Sequence, residues 1–470
     1  MTCDRSSDCV RIVRTRHEAP KPTRSVCVAA SSLGVVLDDL AIEPRPRALM
    51  LPWRGGESIA IVGPSGSGKS TLLGDVVAHV KGRGERVVQL PRVVADKACI
   101  DLVGGEPVEA MRRLARAGLG DMRAFMCGAG QLSTGQRARL RLALAMQHAE
   151  RCSRGGMATA LVVDEFGATW DGATTRAMGM LLRRWLGEEG QQAVRVVVAS
   201  TDEAAVAALR PAHVVRLDAR GGAAVVAGAS ARPRLHVRIE RGVAEDLAAL
   251  APLHYRAGSP ATVVGVLVAR VGGARAGVLA VSMPVLNATW RQVAWGDRFA
   301  TGDRRRDAAR INRELRCISR VIVEPAYRSM GIARRLVEHY LAAPMTRRTE
   351  ALAAMGHAAP FFEAAGMCAY HLPPAQRHAR LLDAFEHVGV EAWRLATPGL
   401  VLERLHARDR VGTQAFGATA FIERELRSWA RRSGATASMA KGSVGALVEA
   451  AARLIVARPV AYAHCASGGR

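Results

Sequence analysis

Short apolar runs bounded by glycine and charge recur through the first half of the chain, and their length and β-branched content predict buried strands. Ser58 to Val62, Ala160 to Val163 and Val196 to Ala199 are the clearest, with a shorter run at Arg86 to Val88. In the first fifty residues, Val10 to Val13 and Ser25 to Ala30 alternate with charged turns, which predicts edge strands entering the same sheet. A hairpin-like turn at Asp218 to Gly222 is followed by a Gly, Ala, Ser and Pro cluster at Ala229 to Arg234 that reads as a linker. Beyond it the pattern restarts: an amphipathic stretch ending near Leu253, two strands at Val263 to Val268 and Ala276 to Met283, then a strand from Ile318 that runs through a tight turn and a glycine-bearing loop into a helix. After Pro374 the period becomes helical, most clearly over Arg377 to Val388 and Thr419 to Arg432. The expected class is α/β, with domains at 1–233 and 234–375 and a mostly helical extension over 376–470.

The first strand leads into Gly63-Pro64-Ser65-Gly66-Ser67-Gly68-Lys69-Ser70-Thr71, which fits the phosphate-binding loop at every position. Glycines let the backbone curl so that successive N–H groups face phosphate oxygens, Lys69 reaches the β/γ oxygens, and Ser70 offers a hydroxyl to Mg²⁺ where a helix starts. The chain has five lysines, so a lysine at this position is a specific signal. A second apolar strand ends in Asp164-Glu165, placing Asp164 in the Mg²⁺ shell and Glu165 beside an attacking water. ATP and Mg²⁺ are the expected ligands.

Between these motifs stands Leu132-Ser133-Thr134-Gly135-Gln136, followed by a helical run through Arg137 to Met146. This closely resembles the signature of ABC ATPases, and loop, signature and carboxylate strand occur in that family's order. The resemblance implies an ABC-type P-loop domain working as a head-to-tail homodimer with ATP at the interface, Ser133, Gly135 and Gln136 meeting the γ-phosphate held by the other copy. Three departures bear on hydrolysis. Thr201 stands where the family has a histidine, and a hydroxyl cannot carry the imidazole's charge, so slow turnover is expected. Asp171 alone survives of the dimer-contact motif, and Gln89 is the candidate for the water-positioning glutamine. No aromatic residue precedes Trp53, so the usual adenine platform is missing or differently built.

In the second half, Arg328-Ser329-Met330-Gly331-Ile332-Ala333 resembles the acyl-CoA loop of GNAT acetyltransferases, with Arg328, Gly331 and Ala333 at the defining positions. Pro360 to Met367 resembles that family's closing helix and turn, and the likeness spans about Leu235 to Leu372. It implies a mixed α/β domain that receives the pyrophosphate of acetyl-CoA, or another acyl-CoA, on backbone N–H groups at a helix N-terminus. Backbone N–H near Val323 would polarise the thioester carbonyl. Phe362 occupies the place of the family's proton-donating tyrosine, leaving Tyr370 as a candidate acid. His254-Tyr255 is similar to a pair in the phage Mom family of DNA-modifying proteins and would line the acceptor side; Glu324 is a second candidate base. For His254, Tyr255 and Glu324, a plain polar turn position is the competing reading.

Composition adds a partner and a compartment. The formal charge is +24, and Arg298 to Arg348 holds thirteen arginines against five acidic residues. That concentration implies a polyanion, DNA or RNA, beside the expected acyl-transfer strand. Hydrophobic residues make up 49% and aromatics 4%, so cores of Ala, Val and Leu are expected. Nine cysteines with no C-x-x-C pair fit a reducing cytoplasm rather than a disulfide or zinc scaffold, and no run of apolar residues is long enough to span a membrane. Two alternatives stay open at this level: an ATP-gated nucleic-acid clamp with a non-catalytic second domain, and a transporter motor subunit.

Overall fold

A computed structural model describes residues 9–12, 21–37, 49–218, 222–228, 236–254, 258, 260–288, 290–372, 374–411, 417–432, 436–455 and 459–466. The chain forms two compact units, one of Met1–Ser259, Gly265–Ala280 and Arg320–Leu336, the other of Pro260–Val264, Val281–Ser319 and Val337–Arg470. The linker expected at 229–234 and Tyr255 lie outside the described residues.

The first fifty residues differ from expectation. Strand β1 (Cys9–Ile12) pairs antiparallel with β2 (Leu49–Pro52) in a separate two-stranded sheet, not with the main one. The stretch expected as a second edge strand is helix α1 (Arg24–Leu33). Local signals explain it: Thr23 Oγ accepts the Val26 N–H at 3.3 Å as an N-cap, and Gly34, at φ 65°, closes the C-terminus in the left-handed region.

Six strands build the first unit's main sheet: β3 (Ser58–Val62), β4 (Arg86–Gln89), β5 (Thr159–Val163), β6 (Val194–Ser200), β7 (His213–Leu217) and β8 (Ala223–Ala227), in the order β4-β5-β6-β3-β7-β8. All neighbours run parallel except β8, which returns antiparallel on β7 as the expected hairpin. Every residue of β3, β5 and β6 is buried, which is why Ile59 to Val62, Ala160 to Val163 and Val196 to Ala199 are apolar at every position rather than alternating. Helices α2 (Lys69–Gly82), α3 (Cys99–Val103), α4 (Pro107–Arg116), α5 (Met122–Met126), α6 (Thr134–Arg154), α7 (Gly172–Leu186) and α8 (Glu203–Ala207) accompany this sheet. One apolar cluster joins Leu72, Leu73 and Val76 of α2 to Ile59, Ile61, Val162 and Val197 of the strands, with Trp53 beneath. Trp53 is 0% exposed and gives its indole N–H to Glu57 O at 3.3 Å, so it is a core residue and no platform for adenine.

A second, seven-stranded sheet comprises β9 (Val237–Arg241), β10 (Val263–Val271), β11 (Ala274–Ser282), β12 (Leu315–Val323), β13 (Arg348–Ala353), β14 (Cys368–His371) and β15 (Val460–Cys465), in the order β14-β15-β13-β12-β11-β10-β9. Strands β12 and β13 pair in parallel, but only from Leu315↔Arg348 to Ile318↔Ala351; the pairing stops there while β12 runs on to Val323. Strand β15 lies antiparallel between β13 and β14. Helices α9 (Ala244–Leu250), α10 (Arg291–Trp295), α11 (Arg304–Glu314), α12 (Ile332–Ala342) and α13 (Phe361–Ala364) fall between these strands in sequence.

Among the described residues between 376 and 455 lie helices α14 (Gln376–His387), α15 (Pro398–Val411), α16 (Ala418–Arg431) and α17 (Val444–Ile455). They share one core built on Phe385, Val401, Leu405, Ile422, Leu426, Trp429 and Leu447. Because β15 follows them, this bundle is inserted between two neighbouring strands of the second sheet.

Candidate functional site

Parallel strands bring their carboxyl ends to one edge of a sheet, and the nucleotide motifs follow those ends. Gly63 comes directly after β3, Asp164 directly after β5 and Thr201 directly after β6, while Gln89 closes β4 in register with Val162, two residues before Asp164. The sheet thus collects the phosphate loop, Gln89, Asp164, Glu165 and Thr201 on one edge.

The loop's glycines have specific reasons to be there. A Cβ on Gly63 would stand 2.5 Å from Leu217 O and 2.7 Å from Ser67 Oγ, and Gly66 and Gly68 adopt φ of 78° and 87°. Gly68 caps α2, whose first turn carries Lys69, Ser70 and Thr71 at the positive end of the helix dipole. Lys69 Nζ donates to Gly63 O at 2.9 Å and Pro64 O at 2.7 Å, folding the cation back over the loop. Ser65 and Ser70 are exposed, and the buried Ser67 Oγ has no partner. Curled backbone, a cation and an unpaired hydroxyl fit a polyphosphate with its Mg²⁺, which Ser70 and Asp164 would hold.

Glu165 is one of four non-glycine residues with positive φ among those described, at 54°. Its backbone N–H donates to Asp164 Oδ1 at 2.9 Å, and both carboxylates are exposed. The next residue imposes this conformation: Phe166 is buried, its N–H donates to Ala199 O at 2.7 Å and its carbonyl accepts the Ser200 hydroxyl at 2.9 Å. Strand β6 therefore pins Phe166 and leaves the unfavourable backbone geometry to Glu165. Thr201 is exposed.

Ser133, Gly135 and Gln136 form the N-terminus of α6. Ser133 Oγ accepts the Gln136 N–H at 3.2 Å and Gln136 Oε1 accepts the Ser133 N–H at 3.0 Å, a reciprocal capping box. Trp170 Nε1 donates to Gly135 O at 3.1 Å, tying the signature to the segment after the carboxylates. Asp171 caps α7, accepting the Thr174 N–H at 2.9 Å and the Thr174 hydroxyl at 2.7 Å.

The Arg328 loop lies in the first unit and is half-buried there. Arg328 Nη1 pairs with Asp121, the N-cap of α5, at 3.1 Å, and its Nε donates to Val323 O at 3.3 Å. Ser329, at φ 66°, gives its hydroxyl to Arg116 O at 2.7 Å, and its carbonyl accepts from Arg184 of α7. Gly331, at φ 80°, has open space where a side chain would stand, and Ile332 and Ala333 begin α12. The loop's arginine is thus engaged by a carboxylate. Asp121 and Arg184, which make these contacts, belong to no motif, and only the fold brings them here. Glu324 begins the turn Pro325–Tyr327; burial and nearby Asp171 raise its carboxyl above the usual range, and its N–H is taken by Ala276 O at 3.1 Å.

The remaining candidates stand on other elements. His254 is half-buried at the end of the turn Ala251–Leu253, its N–H on Ala251 O at 3.0 Å. Tyr370, on β14, packs on Trp290 with ring centroids 6.4 Å apart. A different phenol stands beside Phe362: Tyr462 of β15, with centroids 4.9 Å apart and its hydroxyl 3.2 Å from Glu363 Oε1. Burial and Glu363 push that phenol above its usual range. The sequence alone does not reveal it, because the run before it reads as helix and gives no sign that the chain returns to the sheet.

No protein-family profile matches the chain, and no curated protein matches it. Among solved structures it is similar to a dimeric bacterial ABC transporter cassette, 18% identical over 38% of this chain and 89% of that one, with a TM-score of 0.30. It is also similar to CbiO1 of Clostridium perfringens, part of an ABC transporter complex, at 16% identity over 47% and 88% with a TM-score of 0.31. A third is an ABC transporter's ATP-binding cassette in its ADP conformation, at 16% over 38% and 84% with a TM-score of 0.28. Among the described residues no helix is long and apolar enough to cross a membrane.

Proposed function

We propose that the chain is an ABC-type ATPase joined to a GNAT-type N-acyltransferase that acts on an amine of nucleic acid. The observation that carries the ATPase reading is the shared sheet edge: phosphate loop, Asp164, Glu165, Gln89 and Thr201 follow or close four parallel strands. Lys69 and the loop N–H groups bind the phosphates, Ser70 and Asp164 hold Mg²⁺, which offsets phosphate charge when bound, and Glu165 takes a proton from the attacking water. The signature residues of a second copy close the site, so ATP joins two chains head to tail. The test is Glu165→Gln, which keeps ATP binding but removes the base. With ATP it should elute as a dimer in size-exclusion chromatography. A variant that stays monomeric and hydrolyses at the wild-type rate refutes the composite site.

The acyltransferase reading is supported by the second sheet, where a parallel pair parts after Ile318 and β15 enters between β13 and β14. On this reading the ATPase domain ends near 233, the acyltransferase begins at 234, and the bundle of 376–455 is inserted in it. The amine nitrogen attacks the thioester carbon, the carbon–sulfur bond breaks, the nitrogen loses a proton and the thiolate gains one. Val323 N–H faces the developing oxyanion, Glu324, His254 or Tyr255 takes the amine proton, and Tyr370 is the candidate acid. Nucleic acid as acceptor is supported by α11, where Arg304, Arg305 and Arg306 are exposed. Gly331→Glu puts a carboxylate where the pyrophosphate would rest; acetyl-CoA binding by calorimetry should vanish while ATP binding survives. Equal CoA affinity in both proteins refutes the assignment.

A further inference from the structure

The turn that leads into α10 is held by a buried arginine. Arg291, 3% exposed, directs Nε and Nη2 to the two carboxylate oxygens of Glu350 at 2.8 and 2.7 Å. It also donates to Leu286 O at 3.0 Å and to Val285 O at 2.6 Å. Four bonds on one guanidinium fix a turn whose apolar side chains face outward: Val285 is 64% exposed, Leu286 53%, and Val293 in α10 69%. A buried ion pair does little for stability compared with apolar packing, so its use to hold exposed apolar side chains points to a ligand for them.

Behind this turn runs a ladder of rings. Trp290 lies 5.8 Å from Trp295 and 6.4 Å from Tyr370, and Trp295 lies 5.6 Å from Phe299. Trp295 and Tyr370 are half-buried, while Trp290, 7% exposed, has an indole N–H with no partner. Phe299 packs on Ile311 and Leu315, which joins the ladder to α11. That helix opens with Arg304, Arg305 and Arg306, all exposed and forming no ion pair among the described residues. Its other cations are occupied: Arg310 donates to Arg298 O at 2.9 Å, and Arg313 pairs with Glu314 at 3.6 Å.

We infer that this turn, its aromatic ladder and the start of α11 form a binding site for unpaired nucleobases, Trp295 stacking a base and Arg304 to Arg306 holding its phosphates. Every base has a π-face that an aromatic ring accepts, and a free cationic edge beside such rings tracks a strand's backbone. A base paired in a duplex hides that face. The inference rests on the reading of nucleic acid as acceptor and makes the acceptor a single-stranded or locally opened segment.

The test uses the full chain and labelled oligonucleotides of about 12 nucleotides, within the ~4–16 that single-strand sites span. Single-stranded DNA, single-stranded RNA of the same sequence and the DNA duplex are titrated by anisotropy at several salt concentrations, with tryptophan emission followed in parallel. A single strand should bind about tenfold more tightly than the duplex and quench emission, and the better of the DNA and RNA strands names the source. Trp295→Ala should weaken single-strand binding about 5- to 150-fold without changing the salt slope. Trp295→Phe, which keeps a ring and the packing, should bind within about threefold of wild type but lose most of the quench. Changing Arg304, Arg305 and Arg306 to Gln should flatten the salt slope by about 0.7 for each lost single-strand contact and keep the strand preference. Arginine-dependent binding with no strand preference and silent Trp295 variants overturns the stacking site and leaves the acceptor reading standing. No binding of any oligonucleotide overturns both.

Discussion

A residue's conformation here is set by its neighbours as much as by its own chemistry. Glu165 holds a positive φ because Phe166 is locked to β6, so the proposed base is aimed by a strand it does not belong to. Asp171 shows the complementary case, a motif residue whose visible work is structural. Burial opposes its charge, but the bonds from Thr174 outweigh that and hold the carboxyl below its ordinary 3.8. A carboxyl depressed by folding contributes stability that is present above the unfolded value and lost as pH falls through the folded one. Asp171→Ala should therefore destabilise the first unit by about 1 kcal/mol at neutral pH, the usual worth of an N-cap, and the difference from wild type should shrink below about pH 4. Urea melts monitored on the first unit at pH 7 and pH 3.5 measure both. Asp171→Asn, which can still accept the Thr174 N–H, should keep most of the stability and lose its acid dependence. A Glu203 paired to Arg216 shares the same sign, so the comparison must be made against wild type at each pH.

Elements were legible in the sequence where one physical signal ruled. Runs such as Val196 to Ala199 are apolar at every position, and each became a fully buried strand. Ser25 to Ala30 misled because its valines and cysteine suggest a strand, whereas the deciding signals, Thr23 and Gly34, flank it as caps. The return of the chain as β15 was illegible for another reason. A strand flanked by partners on both sides is specified by those partners, β13 and β14, which lie far away in sequence. The phosphate loop, the carboxylates and the signature were readable because their chemistry is local; Asp121, Arg184 and Tyr462 were not, because only the fold brings them to Arg328, Ser329 and Phe362. A chain ended after residue 457 lacks β15 and leaves β13 and β14 with open edges and Phe362 without the Tyr462 ring. Such a chain should bind ATP as wild type does, lose acetyl-CoA binding in calorimetry, and aggregate through the unpaired strands. Retained CoA affinity would show that the donor site does not depend on that part of the sheet.

At the scale of the whole molecule, the question is whether the two chemistries communicate. Asp121 and Arg116 belong to helical segments between Gln89 and Ser133, and Arg184 lies near the end of the helix that Asp171 caps; all three hold the Arg328 loop. Nucleotide motifs and the loop proposed to receive the acyl donor therefore share elements, and on that proposal a ligand that shifts those elements acts on both sites. Binding linkage is reciprocal, so the factor by which ATP changes acetyl-CoA affinity must equal the factor by which acetyl-CoA changes ATP affinity. On the proposed acyltransferase reading, the Asp121 carboxylate would compete with the donor's pyrophosphate for the Arg328 guanidinium. Asp121→Asn removes that competitor and should tighten acetyl-CoA binding about threefold to tenfold without nucleotide, since a partly exposed ion pair is worth little more than that. The same variant should bring both coupling factors toward one, by equal amounts. Calorimetric titrations of each ligand in the absence and presence of the other, using the Glu165→Gln background to prevent turnover, give all four affinities. If Asp121→Asn leaves acetyl-CoA affinity and coupling unchanged, the contact is structural and the domains work independently. If it weakens acetyl-CoA binding, Asp121 supports the loop in its binding shape rather than restraining it, and the sign assigned to the Asp121–Arg328 pair is wrong.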